Sequence, residues 1–169
     1  KTLLVTAAVG SLRPALKPGD LLVVTDHINL IGSNPLIGNH APSFGDMFPE
    51  MSEPYDLRLG KEALAAARRL KIRAASGVYL AVSGPSYETP AEVKAYQSLG
   101  GTVAGMSVVP EVIAARQLKL KVLGICWISN FASGVGKAEF DHAAVLRLGD
   151  KVAVRVKALF EAVLESRNI

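Results

Sequence analysis

The chain has 169 residues, of which half are hydrophobic and a fifth are charged, and its net charge is +4 at pH 7. These totals fit one globular domain over residues 1–169 with a substantial core, and they exclude an intrinsically disordered chain. The basic residues are spread through helix-like segments without interleaved aromatic residues, so we expect no nucleic-acid partner. No apolar run approaches the ~20 residues of a membrane span, so we expect no membrane partner either.

The single cysteine, Cys126, lies in an apolar run. An internal disulfide is therefore excluded, and no paired cysteine or histidine spacing predicts a metal site. We expect a reducing, cytoplasmic location. The chain opens directly with a strand-like pattern over residues 1–6, so we expect it to be the later part of a longer protein.

Apolar segments rich in β-forming residues alternate with amphipathic, helix-like segments along the chain. We predict strands over residues 2–8, 21–25, 77–82, 102–105 and 122–128. We predict helices over residues 57–70, 91–99, 110–118 and 143–165. Because the strands are apolar on both faces, we expect an α/β fold with a mostly parallel sheet covered by helices on both faces.

Two connections in the first third of the chain are candidates for a functional role. The small residues at positions 9–12 predict a turn whose backbone N–H groups could bind an anion. Residues 31–55 predict a long loop rich in Gly, Pro, Asn and Ser. Phe44 and Phe48 stand four residues apart in that loop, where a subunit interface, a site lid and local packing are all open.

The segment after the strand at residues 77–82 carries the clearest functional signal. Thr89, Pro90 and Glu92 form the pattern of a capping box that starts a helix. Tyr87 and Glu88 should therefore lie between a strand's carboxyl end and a helix's amino end, where open α/β sheets bind ligands. The carboxylate could accept N–H groups of a flat ligand while the ring stacks on it. Alternatively, Glu88 is a solvated loop acid and Tyr87 covers the core.

Two further predicted strands end in polar side chains, Ser107 and Asn130. If these ends meet Glu88, one cleft holds a carboxylate, a hydroxyl and a carboxamide. Glu88 and Asn130 together suit the two polar edges of a 6-oxopurine, and Ser107 beside the helix at Pro110 suits phosphate. His142, at a predicted helix start, could reach a sugar hydroxyl or could be a capping or surface histidine.

Five motifs in order resemble the trimeric class of purine nucleoside phosphorylases over the full length of the chain. They are Asp-His-Ile-Asn-Leu at 26–30, Phe-Gly-Asp at 44–46, Gly-Pro-Ser-Tyr-Glu-Thr at 84–89, Gly-Met-Ser at 105–107 with Val-Pro-Glu at 109–111, and Ile-Ser-Asn at 128–130. The resemblance implies a three-layer nucleoside phosphorylase-like fold with a mixed sheet. It also implies that about the first hundred residues of the family are missing here.

On the purine and ribose side, the resemblance implies a role for five residues. Glu88 would bind the N1 and N2 side of guanine or hypoxanthine, and Asn130 would bind N7 and O6. Tyr87 replaces the family's usual phenylalanine beside the base. Met106 would line the ribose, and His142 would meet the ribose 5′-hydroxyl.

On the phosphate side, the resemblance implies contacts from Ser107 and from the backbone of Ala8. The family usually has asparagine where this chain has Ala7. The family's phosphate-binding histidine and arginine precede the part of the fold that matches this chain. Phe44 would reach into the site of a neighbouring subunit of a homotrimer, and a separate amino-terminal segment of the same protein is a further expected partner.

The implied reaction is reversible phosphorolysis of inosine or guanosine, a purine-salvage reaction of a pentosyltransferase. Inorganic phosphate is the co-substrate, and no metal or organic cofactor is expected. Asn130 and Glu88 would be the catalytic residues. Two alternatives remain: a non-catalytic purine-binding or assembly fragment, and a methylthioadenosine phosphorylase, whose family members usually carry aspartate at the Asn130 position.

Overall fold

The computed structural model describes residues 1–38, 42–136 and 142–166. Its strands are β1 (Thr2–Val5), β2 (Ala8–Ser11), β3 (Leu21–Leu30), β4 (Ala74–Val82), β5 (Val103–Gly105) and β6 (Lys121–Phe131). Its α-helices are α1 (Leu57–Arg69), α2 (Pro90–Ser98), α3 (Val109–Gln117) and α4 (His142–Glu165). A short 3₁₀ helix, Pro42–Phe44, lies in the long connection between β3 and α1.

The strands form one mixed sheet in the order β1-β6-β2-β5-β4-β3, which curls so that β3 also pairs with β6. Four pairings are parallel, namely β1–β6, β2–β6, β3–β4 and β4–β5. Two are antiparallel, β2–β5 and β3–β6. The prediction of a mostly parallel sheet within an α/β fold is therefore confirmed. The sheet is mixed because it contains both parallel and antiparallel pairs.

The core lies on both faces of the sheet because successive strand residues point to opposite sides. On β3, Leu22 and Val24 pack in a cluster with α3, whereas Leu21 and Val23 pack in a cluster with α1 and α4. A smaller cluster packs α2 over the ends of β2 and β5. Helices therefore cover both faces, which explains the apolar runs in the sequence.

Two helix starts follow from local side chains. The Asp56 carboxylate accepts the Leu59 backbone N–H at 2.9 Å and caps α1. At α2, Thr89 and Glu92 form the predicted capping box, with Pro90 in the first turn. Such a cap fixes the direction in which the chain enters a helix, so the residues just before Thr89 are held in place.

The main difference from the sequence prediction lies near the amino end. Residues 2–8 form two strands rather than one, and the turn predicted at residues 9–12 is largely the strand β2. The small residues there fit a strand because β2 is paired on both sides, by β5 and β6. The predicted anion-binding turn is therefore wrong, since its backbone groups belong to the sheet. The strands β3, β4 and β6 are also longer than predicted.

Candidate active site

The connection between β4 and α2 places Tyr87 and Glu88 beside a cavity of about 230 Å³. Tyr87 is 51% exposed and Glu88 is partly buried. The cavity is lined by Leu30, Val82, Ser83, Gly84, Ser86, Tyr87, Glu88, Glu92 and Tyr96. Its wall is mostly polar, so it can bind a polar, planar ligand rather than an apolar one.

The two carboxylates at this cavity have different tasks. Glu92 accepts the Thr89 backbone N–H at 2.7 Å, so it belongs to the helix cap. Glu88 forms no ion pair within the described residues, and its charge is available to a ligand with N–H groups. Burial raises the pKa of Tyr96, and the charges of Glu92 and Glu88 raise it further. The cavity is therefore an electronegative site that favours hydrogen-bond donors.

Met106 and Ser107 follow β5 and lie next to the β4–α2 connection. Gly84 has φ +61°, and a Cβ there would collide with the Met106 sulfur, so the two loops touch where glycine leaves room. Met106 is 40% exposed, so its predicted contact with a ribose is sterically open. Ser107 is partly buried, and its backbone N–H donates to Tyr79 Oη at 3.3 Å.

Asn130 lies in β6 next to a bulge that the sequence did not reveal. Val9 pairs with Ile128 and Gly10 with Asn130, so Ser129 is the extra residue. Ser129 Oγ lies 2.6 Å from Asn130 Oδ1 and 3.1 Å from the Val9 carbonyl oxygen. Asn130 Nδ2 donates to the Phe131 carbonyl at 2.9 Å. One N–H and one acceptor lone pair of the carboxamide remain for a ligand.

The route by which Asn130 approaches Glu88 differs from the one expected. Strand β6 pairs in parallel with β2, which runs antiparallel to β5, so the carboxyl ends of β5 and β6 do not meet at one edge. Instead, the segment after β6 turns back onto α2, where a Cβ on Gly134 would lie 3.5 Å from the Cβ of Pro90. This contact joins the loop after Asn130 to the residue two positions beyond Glu88.

Ala8 lies at the start of β2, and its side chain is exposed. Gly10 pairs with Ala104 in the antiparallel β2–β5 ladder. Following that register, the start of β2 runs alongside the residues just after β5, which are Met106 and Ser107. The two residues predicted to contact phosphate are therefore placed at the same end of the β2–β5 pair.

Phe44 lies far from these loops within its own chain. The Phe44–Gly45–Asp46 segment packs on the carboxyl end of α3, where the Gln117 side chain donates to the Asp46 carbonyl at 3.3 Å. Met106 and Ser107 precede the amino end of that nine-residue helix, roughly 13 Å away by helix geometry. Phe44 is 48% exposed, so it is available to another molecule.

A larger cavity, of about 580 Å³, does not include the predicted site residues. It is mostly apolar and is lined by His27, Asn29, Asn34, Leu36, Ile37, Met47, Phe48, Pro49, Met51 and Ile113. Phe48 is 88% exposed at its rim. None of the predicted site residues that the structure describes lines this apolar cavity, whereas Tyr87 and Glu88 line the smaller polar one.

His142 is the first residue of α4, in agreement with the predicted helix start. Its side chain lies outside the described part of the chain, so its contact with the ribose stays a prediction. Three contacts next to the predicted site residues were not predicted from the sequence: those of the Tyr79 hydroxyl, of Gly134 and of the Ser129 side chain at the bulge. Each of these residues looked like an ordinary strand or turn residue, and only the tertiary contacts above distinguish them.

Two further observations concern metals and membranes. Among residues 1–38, 42–136 and 142–166, no three His, Cys, Asp or Glu side chains are grouped as metal ligands. Over the same ranges, none of the helices combines the length and the hydrophobicity that a membrane crossing requires. Cys126 is fully buried, and burial raises the pKa of its thiol to about 12, so it is a neutral core residue.

A curled mixed sheet covered by helices on both faces, with a carboxylate loop after β4, a hydroxyl loop after β5 and a bulged carboxamide in β6, has the arrangement of a nucleoside phosphorylase fold. The family model described as the phosphorylase superfamily matches residues 1–165, and the chain belongs to that family. Together with the relatives below, this match confirms the resemblance to purine nucleoside phosphorylases.

Individual relatives are similar over nearly the whole chain. Purine nucleoside phosphorylase 1 of Bacillus subtilis is 44% identical over 164 residues, which is 97% of this chain and 60% of the relative. A Schistosoma purine nucleoside phosphorylase in complex with hypoxanthine has a TM-score of 0.92 at 35% identity, covering 99% of this chain and 62% of that one. The Schistosoma mansoni enzyme with adenosine gives 0.93 at 35%, covering 99% and 62%. The chain thus spans about three fifths of the length of these relatives.

Proposed function

We propose that the protein containing this chain is a purine nucleoside phosphorylase acting on inosine and guanosine. The observation that supports the proposal is the packing of Gly134, in the segment after Asn130, against Pro90, which lies two residues beyond Glu88. A 6-oxopurine presents N–H groups on one edge and O6 with N7 on the other. Glu88 supplies acceptors for the first edge, and Asn130 supplies one donor and one acceptor for the second.

In the proposed reaction, a phosphate oxygen attacks C1′ while the bond from C1′ to N9 breaks. The electron pair of that bond goes to the purine, and the configuration at C1′ inverts. Asn130 stabilises the purine as negative charge develops, because its hydrogen bonds are in place before the reaction. The free lone pair on Asn130 Oδ1 can accept a hydrogen bond from an N–H group at N7, with the proton staying on N7. Inorganic phosphate is the only co-substrate, and no metal or organic cofactor takes part.

The phosphate side of the site is only partly present in this chain. Ser107 and the Ala8 backbone offer neutral donors, whereas binding a phosphate dianion calls for cationic side chains. We propose that these come from an amino-terminal segment of the same protein, since the relatives are longer than this chain. Activity of the 169 residues alone is therefore not expected.

We also propose a homotrimeric, cytoplasmic enzyme with sites shared between subunits. The position of Phe44 supports sharing, because it is exposed and anchored on the far end of α3 from Met106. The apolar cavity with Met47 and Phe48 on its rim supplies a surface that a neighbouring subunit could cover. The buried, unpaired Cys126 is typical of a protein from a reducing compartment.

The test combines intact mass spectrometry with an inosine-plus-phosphate assay on the same purified full-length protein. We expect hypoxanthine and ribose 1-phosphate to form, with inosine preferred over adenosine and methylthioadenosine. Adenosine is a necessary comparison because a Schistosoma mansoni relative has been seen with it. Binding of guanine without turnover of any nucleoside would instead support the non-catalytic alternative, and a preference for methylthioadenosine would support the other.

A further inference from the structure

The residue after Ser107 has an unusual backbone conformation. Val108 has φ +72° and ψ −54°, and the Val109 N–H donates to the Ser107 carbonyl at 2.8 Å. This combination is a classic γ-turn, which is rare and strained, and a β-branched residue makes it less favourable still. Val108 is also buried, so solvent does not relieve the strain. Strained backbone that persists in a fold is held by its surroundings and tends to occur at functional sites.

The side chain that contacts this turn is Tyr79, through its hydroxyl. Tyr79 is completely buried in β4, where it pairs with His27 on one side and Val103 on the other. Its ring is therefore fixed by the sheet, and its hydroxyl accepts the Ser107 N–H at 3.3 Å. Gly105 leaves the space that the hydroxyl occupies, because a Cβ at that position would collide with Tyr79 Oη.

We infer that Tyr79 is a positioning residue that holds the γ-turn at residues 107–109 and so fixes Ser107 for phosphate. The inference rests on the proposed function, in which Ser107 contacts phosphate. The turn also leads directly into α3, since the Val112 N–H donates to the Val108 carbonyl at 2.9 Å. Tyr79 therefore acts on the phosphate side of the site, while Glu88 and Asn130 on the purine side are held by other contacts.

The chain offers a matched pair of variants for the test. Tyr79→Phe removes one buried hydroxyl from under the turn. Tyr55→Phe removes another buried hydroxyl, whose partner is His27 Nδ1 at 3.2 Å rather than a backbone group of residues 107–109. Both substitutions keep the aromatic ring in its packing, so a general effect of losing a buried hydroxyl should be common to both.

Steady-state kinetics of the full-length protein should separate the two variants. We expect Tyr79→Phe to raise KM for phosphate about tenfold, the scale of one lost hydrogen bond at a preorganised contact. We expect KM for inosine and Kd for guanine to change by less than about twofold, and Tyr55→Phe to leave KM for phosphate unchanged within the same margin. An unchanged KM for phosphate in Tyr79→Phe, or an equal change in both variants, overturns the inference.

A second measurement tests the role of Tyr79 in the turn independently of the proposed phosphorylase activity. Crystal structures of the parent and of Tyr79→Phe should show whether the turn depends on the hydroxyl. We expect the parent to keep a positive φ at Val108, and the variant to show a relaxed turn with negative φ or with two conformers. An unchanged turn in the variant overturns the inference regardless of activity, whereas absent phosphorolysis with a relaxed turn rejects only the proposed function.

Discussion

Asn130 is oriented by its own strand before any ligand binds, with Ser129 on its oxygen and the Phe131 carbonyl on its nitrogen. Preorganised donors of this kind stabilise charge in a transition state without having to reorient. Glu88 is the complementary carboxylate at the nearby cavity. The first prediction therefore concerns the effect of these two side chains on the transition state rather than on folding.

We expect Asn130→Ala and Glu88→Ala each to lower kcat/KM for inosine by an amount equal to ~2–4 kcal/mol of transition-state stabilisation. The measurement is the steady-state rate of the full-length protein with inosine and phosphate. Glu165→Ala, at the exposed end of α4, is the control for removing a carboxylate elsewhere. Near-normal inosine turnover in both site variants would show that these residues do not bind the purine.

His27 gives a second prediction at the level of the residue. Burial lowers its pKa below the usual 6.5, against a smaller opposing effect from the Asp26 carboxylate. The unfolded chain therefore binds a proton at a higher pH than the folded protein does. The stability that depends on neutral His27 is complete above pH 6.5 and is lost as the pH falls through the lowered folded pKa.

We therefore expect the free energy of unfolding of the parent to fall on going from about pH 7 to about pH 5, and to fall less steeply in His27→Gln. Urea unfolding at several pH values measures the difference, with m-values checked for constancy. A parent and a variant with parallel pH profiles over that range would show that His27 is not the group responsible.

At the level of elements, the capping box of α2 connects stability to the purine site. Thr89 Oγ1 accepts the Glu92 N–H at 3.2 Å, and the residue before Thr89 is Glu88. We expect Thr89→Ala to lower the free energy of unfolding by about 1 kcal/mol and to weaken guanine binding, because the loop loses its fixed entry into the helix.

The matched control for this cap is Ser98→Ala at the other end of the same helix. Its hydroxyl donates to the Lys94 carbonyl at 2.9 Å and is exposed, so its loss should change little. Chemical denaturation and calorimetry with guanine measure both effects. Equal guanine affinities in the two variants would mean that the cap does not position Glu88.

The elements that follow from local sequence were predictable, and those that depend on pairing were not. The box at Thr89 and Glu92 was visible because its residues are three apart and interact within one turn. Strand β2 was missed because its small residues are also typical of turns, and only β5 and β6 make it a strand. The bulge at Ser129 and the hydroxyl of Tyr79 beneath Ser107 depend on residues far apart in sequence, which periodicity does not detect.

At the scale of the whole molecule, three segments next to the predicted site residues are joined by contacts with one another rather than by one edge of the sheet. The β4–α2 loop touches the residues after β5 through Gly84 and Met106, and the segment after β6 through Pro90 and Gly134. The roles that the motifs give to these residues stay predictions, and the expectation that their strands end side by side was wrong for Asn130. Loops that hold one another in place need a rigid sheet and rigid helices behind them. We therefore expect ligand binding to depend on a complete sheet with its helices.

The last prediction concerns the stability of the 169 residues by themselves. Strand β1 pairs with β6 alone among the described strands, so it leaves an open edge. A groove of about 440 Å³ lies between α4 and the sheet, with Trp127 and Phe160 in its wall, and Val154 of α4 is 70% exposed. Uncovered apolar surface of this kind lowers stability and promotes association.

We expect the 169 residues expressed alone to melt below about 45 °C or without a cooperative transition, and to bind a hydrophobic dye. We expect the full-length protein to melt cooperatively at a higher temperature, with the edge and the groove covered by the proposed additional segment. Calorimetry, dye binding and light scattering on the two proteins under identical conditions provide the comparison. A monomeric 169-residue chain with a sharp transition as high as that of the full-length protein would contradict the expectation. In that case the exposed edge and groove would belong to a fold that is stable by itself, rather than to a surface that a further segment covers.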